Sequence, residues 1–556
     1  MKETNTTAPT AEMEKAAQTA ALDGTTKDKA SESDDREYVT GLGLFIVLGS
    51  LTLVVFLVLL DLAILGTAIP EITTEFNALS DAGWYIGAYQ LASATLQPMS
   101  GKLYTYFNNK YTFLAYCALF ELGSLICGVA NSSPLFIGGR AIAGLGSAGI
   151  VNGGMTIISG AVPLVKRPLY TGILLGVAQM GIVVAPIIGG ALTEHVTWRW
   201  CFYLNLPAGG TAAMLLFCID IPELTKKEPF SLALIRKIIP EFDLIGFAIF
   251  IPCSLMFLLA LQFGAGRTYA WSSATIVGLF VGAGVAALIF FAWEYKQGDK
   301  AMLPGPLLRQ RIVWASCVFG ACIICCLSIA ANWLPTYFQA VMGEKPTMSG
   351  IDLLPSIISQ LISVIITGAG TSRVGYYLPF ALFSGIVTAI GNGLVSTFDA
   401  QTSTATWIGY QIVLGVGRGA GMQMALIAVQ NAIPSSKIPI GMAALIFFQN
   451  LASSVASVIS NTIFTQTLTS TIPRYAPSVS PQAALNAGSS ADAVRALVPA
   501  NRSDEVDGVL QAYSESLRNV FYFLIGLAAC GAAASLGMGW RRVGKKKTGE
   551  EGKEEE

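Results

Sequence analysis

Four charged side chains sit inside long apolar runs of the chain: Asp61, Glu121, Arg140 and Arg418. A charge at the centre of a hydrocarbon layer costs about 2.5–3.5 kcal/mol on insertion scales, so each must face a cavity or a partner. Asp61 stands near the end of its run, in Leu60-Asp61-Leu62-Ala63-Ile64-Leu65-Gly66-Thr67-Ala68-Ile69-Pro70. Arg140 stands near the start of an oppositely directed run, in Gly139-Arg140-Ala141-Ile142-Ala143-Gly144-Leu145-Gly146. The two therefore lie at similar depth and can pair. Such a pair either titrates in response to a binding cavity or fixes helix packing. Glu121, mid-run, is either a proton carrier or a protonated acid bonded to a neighbouring helix, since desolvation disfavours its charged form. Arg418 needs a counter-charge, a backbone carbonyl or an anionic substrate.

Uncharged polar and aromatic groups in the same runs could line a cavity for an amphipathic compound. Tyr85, Gln90, Gln179, Trp333, Gln360, Gln423, Gln449 and Asn450 are the candidates beside Arg418. Each taken singly fits interhelical packing or glue better than a cavity wall. The single histidine, His195, neighbours Trp198, Arg199 and Trp200, a composition that suits interfacial anchoring better than chemistry. Ten cysteines lie in or beside apolar runs without metal-ligand spacing and read as small packing residues. No Gly-Lys-Ser/Thr phosphate loop or nucleophile–base constellation is visible, which argues against an ATP-driven pump and an enzyme.

Positioning these groups falls to long helices. The 556 residues are 53% hydrophobic and only 12% charged, against about 25% charged in a soluble chain. The apolar runs are long enough to span about 30 Å of hydrocarbon as helices. In lipid each backbone N–H and C=O must be satisfied within its own segment, and the alternation of a membrane barrel is absent. The expectation is an all-α, polytopic membrane protein of about fourteen transmembrane helices, at 44–66, 80–100, 111–130, 134–157, 168–191, 200–219, 243–264, 273–293, 312–334, 347–369, 377–397, 407–430, 436–462 and 518–540.

Lysine and arginine concentrate on one set of connections, with Lys102, Lys110, Lys166, Arg167, Lys226, Lys227, Arg236, Lys237, Lys296, Lys300, Arg309 and Arg311 among them. Both termini fall on that side, which makes it cytoplasmic. The opposite loop 463–517 carries the sequon Asn501-Arg502-Ser503, so Asn501 is a candidate glycosylation site. Residues 1–43 are polar and form a disordered tail.

The fifth run contains Gly172, Gly181, Ala185, Pro186, Gly189 and Gly190, small residues that permit close helix approach and a proline that breaks one helical bond. Together with Leu60-Asp61 through Pro70, Arg140 and its glycines, and Trp198-Arg199-Trp200-Cys201-Phe202-Tyr203-Leu204-Asn205-Leu206-Pro207, this resembles the fungal fourteen-helix drug:proton antiporters of the major facilitator superfamily, a group that includes mycotoxin efflux pumps. The resemblance covers most of 44–540. One departure is the loop Gly101-Lys102-Leu103-Tyr104-Thr105-Tyr106-Phe107-Asn108-Asn109-Lys110, where Thr105 replaces the acid of the family pattern.

The resemblance implies two pseudo-symmetric six-helix bundles, 44–219 and 312–540, with two inserted helices at 243–293. The cytoplasmic loops would be 220–242 and 294–311, and 541–556 a charged tail. It implies efflux of small amphipathic molecules by alternating access, coupled to protons through Asp61, Glu121 and Arg140. It implies no cofactor, metal or nucleic-acid partner, and a monomer in the plasma membrane, with the vacuolar membrane as the alternative. A proton-coupled importer, such as a siderophore transporter, is the competing expectation; a membrane sensor would need a folded domain that the tails are too short to supply.

Overall fold

The structure is a computed structural model that describes residues 38–76, 78, 81–223, 227, 238, 242–265, 269–487, 491–498, 502 and 505–543. Asn501, most of the two tails and most of the 220–242 connection lie outside the described residues. The long helices are α1 (Gly41–Glu75), α2 (Ala82–Tyr106), α3 (Asn109–Val129), α4 (Ser133–Ala161), α5 (Arg167–His195), α6 (Trp200–Phe217), α7 (Leu244–Ala265), α8 (Ala274–Gln297), α9 (Arg311–Thr336), α10 (Leu354–Val374), α11 (Leu378–Val395), α12 (Thr404–Ala432), α13 (Ile438–Tyr475) and α14 (Val506–Gly537). Among the described residues thirteen helices are long and apolar enough to cross a membrane. The remaining one, α2, has the length, but Gln90, Gln97, Ser100 and Lys102 dilute its apolar character. It is held by protein neighbours, chiefly α4 and α13.

Hydropathy marked the hydrocarbon-spanning part of each helix and missed polar extensions. The expected loop 463–517 is in fact helical at both ends, since α13 continues to Tyr475 and α14 begins at Val506. The physical reason is visible in the threonines. Thr465 and Thr469 hydroxyls donate to the carbonyls of Asn461 and Thr465, at 2.9 and 2.7 Å, so polar side chains are satisfied along the helix itself. Between these ends, Tyr513 donates to the Ala484 carbonyl at 2.7 Å and ties the short helix Pro481–Ala487 to α14.

Two groups of six helices result. In the first, α4 packs on α2 and α3, and α1 on α5 and α6; in the second, α12 packs on α10 and α11, and α14 on α9, α11 and α13. The inserted α7 and α8 pack on each other, with α7 touching α2 and α13. Two seams join the groups, α5 with α10 and α2 with α13. Each is tight at the end of the molecule that carries both termini. A methyl on Gly368 would come 2.6 Å from the Pro168 carbonyl, and one on Gly101 would come 2.9 Å from the Pro439 carbonyl.

The core follows the seams. One continuous apolar cluster contains the first bundle together with the terminus-side layer of the second, including Val313, Phe319, Met424, Ile438 and Leu445. The other end of the second bundle has a separate cluster, including Ile329, Leu414, Phe464 and Tyr513. The two bundles thus share a core at the terminus-bearing end and have separate cores at the opposite, loop-bearing end.

Candidate functional site

Close helix packing brings the first bundle's charges together. Gly144 of α4 lies where a methyl would be 2.3 Å from the Tyr89 carbonyl of α2, so α4 approaches near enough for Arg140 to reach across. Arg140 Nη1 donates to Asp61 Oδ2 at 2.6 Å, and both side chains are wholly buried. Arg140 Nε donates to the Tyr85 carbonyl at 3.0 Å. The guanidinium lies 4.6 Å from the Tyr89 ring centroid, a cation–π contact strengthened by desolvation.

The other carboxylate oxygen is held by a residue that the motif reading quoted without giving it a role. Asn205 of α6 donates from Nδ2 to Asp61 Oδ1 at 3.2 Å and lies 3.1 Å from the Ser124 hydroxyl of α3. In sequence it is only a single amide inside the most distinctive run of the chain; the structure buries it. Asp61 is therefore held by α4 and α6 at once. On the loop side, the Tyr85 hydroxyl donates to Ser133 Oγ at 3.0 Å, and Ser133 donates to Asp81 Oδ2 at 2.5 Å. Tyr85, expected in a cavity wall, is a buried strut linking this network to Asp81.

Glu121 sits one turn before Ser124 on α3. Its Oε1 occupies the space that a side chain at Gly209 of α6 would need, and its Oε2 is buried without a hydrogen-bond partner. The Trp-Arg-Trp run divides its work. Trp198 is buried among Phe76, Phe136 and Phe202, so it pins the core where interfacial anchoring was expected; Trp200 is exposed. Trp198 Nε1 donates to Glu75 Oε2 at 2.7 Å, and Arg199 grips the same carboxylate through two nitrogens, at 2.7 and 3.0 Å. The hydrogen bond from Arg199 holds the Glu75 carboxyl below the usual carboxylate range, against a smaller opposing desolvation.

The α5 small residues serve two neighbours. Gly181 and Gly189 face α1, at the Phe56 carbonyl and Thr67 Oγ1, while Gly172 faces Gln423 and the Val364 carbonyl across the seam. Ala185 is buried, Gly190 meets open space, and Pro186 lies within the helix, its side chain outside the described residues.

The second-bundle candidates are dispersed. Gln423 donates to the Val364 carbonyl at 2.9 Å in the α5–α10 seam. Gln360 is buried, with its amide nitrogen 4.0 Å from the Met422 sulfur. Gln449 is buried against Gly320 of α9. Trp333 donates to Ser460 Oγ at 3.1 Å and packs on Phe464 with centroids 4.4 Å apart. Gln179 and Asn450 are half-buried and Gln90 is exposed. Arg418 is buried and donates to the Ser356 hydroxyl of α10.

The altered loop after α2 has a substitute fastener. Thr105 donates back to the Gly101 carbonyl at 2.8 Å. Lys227, from the connection after α6, donates to the carbonyls of Tyr104 and Phe107 and to Asn109 Oδ1, each at 2.6 Å. Lys227 also pairs with Glu223, which accepts from the Asn109 N–H at the start of α3.

Two helix bundles, inserted α7 and α8, and a buried Arg–Asp pair between α4 and α1 describe a known architecture. Residues 51–457 match the sequence profile of the Major Facilitator Superfamily. The chain belongs to this superfamily. It is 54% identical over 521 residues to the MFS-type transporter calB of Penicillium decumbens, covering 94% of this chain and 92% of that protein. It is 43% identical over 527 residues to the efflux pump mlcE of Penicillium citrinum, covering 93% and 94%. The solved structure of the proton:xylose symporter XylE bound to 6-bromo-6-deoxy-D-glucose superposes with a TM-score of 0.54 at 13% identity, covering 88% of this chain and 94% of that one. At that identity the likeness concerns the Major Facilitator fold alone. The protein is a multi-pass membrane transporter of this superfamily.

Proposed function

We propose that this transporter exports small amphipathic molecules, of the fungal secondary-metabolite kind, in exchange for protons. The observation that carries the reading is the Asp61–Arg140 pair with Asn205, sealed inside the first bundle. Protonating Asp61 removes the charge that compensates Arg140. The buried guanidinium then lacks a counter-ion, a change costly enough to reset helix packing. The Tyr85–Ser133–Asp81 chain links that network toward the loop-bearing face, and half-buried Glu121 offers a second exchangeable carboxyl one turn from Ser124. The efflux activity in the name of mlcE supports the outward direction.

In this reading the terminus-bearing face is cytoplasmic and the membrane is the plasma membrane. The chain works as a monomer, with 44–219 and 312–540 rocking about the two seams and 243–293 riding between them. The shared core at the terminus-bearing end corresponds to a state closed toward the cytoplasm. Each pH unit supplies about 1.4 kcal/mol per proton, and each 100 mV about 2.3 kcal/mol per charge. One proton therefore sustains more than a tenfold gradient of neutral cargo.

The test is reconstitution of the full chain in liposomes, with an imposed proton gradient and a panel of neutral amphipathic dyes. Dye movement should follow the gradient, collapse with a protonophore and fall at least tenfold in Asp61→Asn at equal protein incorporation. Transport by Asp61→Asn at the wild-type rate would remove Asp61 from the coupling mechanism.

A further inference from the structure

The first bundle holds a carboxylate with an arginine and an asparagine, beside a serine: Arg140 and Asn205 donate to Asp61, and Ser124 meets the same asparagine amide. The second bundle assembles the same residue types from four helices. Arg418 comes from α12, Ser356 from α10 and Asn392 from α11, around Cys326 of α9. Arg418 donates to the Ser356 hydroxyl, and Asn392 lies beside the Cys326 thiol, one turn along α11 from the Thr388 against which Gly417 packs. Among the described residues no Asp or Glu oxygen lies within 4.0 Å of the Arg418 guanidinium. Arg418 is 4% exposed with its Nε unpartnered, and Asn392 is wholly buried with neither amide atom bonded to oxygen or nitrogen.

We propose that Arg418, Ser356 and Asn392 form a subsite for a carboxylate carried by the cargo, so that the transporter recognises organic acids. This rests on the exporter reading only in making the occupant cargo. A guanidinium presents forked N–H donors matched to a planar carboxylate. Burial without a counter-charge is unfavourable and is relieved by a matching anion. Leu414 and Cys326 place the site in the loop-side core, the region where the two bundles do not share packing. In the first bundle Asp61 fills the equivalent role with the chain's own carboxylate; the second bundle leaves it to the transported molecule.

The test is equilibrium binding to the full-length protein in nanodiscs, which reads the subsite without requiring transport. The probes are matched pairs of radiolabelled aromatic acids and their primary amides, such as naphthalene-2-acetic acid with naphthalene-2-acetamide and larger polycyclic pairs. For at least one scaffold the wild type should bind the acid about tenfold or more tightly than the amide. Arg418→Gln should abolish that preference, and Asn392→Leu should reduce it several-fold. Because Arg418→Gln can fail to fold, Ser356→Asp provides an independent arm. It gives Arg418 an internal carboxylate of the kind that Arg140 has, and should erase acid preference while raising the melting temperature. Absence of acid preference across every wild-type pair, or its persistence in Ser356→Asp and Arg418→Gln, would overturn the proposal. Failure of the wild type to move either the acids it binds or neutral dyes under a proton gradient would instead count against the exporter reading and leave the binding result standing.

Discussion

The two bundles bury an arginine apiece and treat it in opposite ways. Arg140 has a carboxylate at 2.6 Å, a carbonyl and an aromatic face around it. Arg418 has a serine hydroxyl as its hydrogen-bond partner and, among the described residues, no carboxylate; each guanidinium also has one buried nitrogen without a partner, Nη2 of Arg140 and Nε of Arg418. Both sit where insertion of a charge is expensive. The first bundle therefore contains an internally paired charge, which in the proposed coupling reading is perturbed by a proton arriving at Asp61. The second contains a cation with no carboxylate beside it among the described residues, which in the proposed recognition reading is perturbed by an anion arriving from outside the chain. Fold symmetry between the bundles does not extend to their electrostatics, and the asymmetry suggests a division of labour between coupling and recognition.

The sharpest way to break this comparison is to remove the carboxylate. Asp61→Leu leaves Arg140 buried and unpaired, which should cost about 3–5 kcal/mol of stability. The expected result is a large fall in melting temperature, read by tryptophan fluorescence in detergent. The double variant Asp61→Leu with Arg140→Leu should recover most of the loss, since replacing both members of a buried pair by apolar groups is close to neutral. A double variant no more stable than Asp61→Leu would show that the network around Asn205 and Tyr85, and not the pair, carries the stability.

The second bundle should respond with the opposite sign. Arg418→Met keeps the volume and removes an uncompensated charge, so the melting temperature should rise, by an amount corresponding to about 1–2 kcal/mol. A fall comparable to that in Asp61→Leu would mean that Arg418 is already compensated by the protein and would erase the contrast between the bundles.

A comparable effect on stability, and a large one on turnover, is expected where the bundles meet. Gly368→Ala places a methyl 2.6 Å from the Pro168 carbonyl and 2.8 Å from Gln423 Nε2. The α5–α10 seam must part there, weakening the state closed at the terminus-bearing end. Cysteine accessibility on the terminus side should increase and dye export should fall several-fold, with the melting temperature lowered by about 1–3 kcal/mol equivalent. Unchanged accessibility would show that the seam is not the moving contact.

How much of this was legible beforehand depends on which physical signal each feature leaves in sequence. The helices were legible because a lipid-spanning run must be apolar over a fixed length, and the pairing of Asp61 with Arg140 because their depths along oppositely directed helices matched. Asn205 had no role assigned because a single amide has no periodic signature; its importance depends on α6 lying against α1. The polar ends of α13 and α14 were hidden because hydropathy reports the solvent of a segment and not its backbone conformation. Trp198 was misplaced at the interface because aromatic residues near a span end serve either lipid or core, and Glu75 and Phe76 decide for the core. The dispersal of Gln360, Gln423, Gln449 and Trp333 among different contacts was likewise set by packing.

The smallest expected effect lies at the loop-bearing edge of the first bundle and separates a surface ion pair from the buried one. Glu75 is gripped by Arg199 and Trp198, and its carboxyl is held below the usual range. A depressed carboxyl contributes stability that is present above the unfolded-state value near 4 and is lost as pH falls through the lower folded-state value. Glu75 is substantially exposed, with 42% of its side chain accessible, so solvent screening limits the pair to about 1 kcal/mol or less. Glu75→Gln should therefore lower the melting temperature slightly at pH 7, with the difference from wild type shrinking as the pH falls below 4. At pH 7 it should also shrink in 1 M salt, where the screening length is about 3 Å. The Asp61→Leu loss should survive the same salt, because the buried pair is shielded from solution ions. If salt and acid moved both variants alike, Asp61 would be sensing solvent, and the sealed pair on which the coupling reading depends would be open to water.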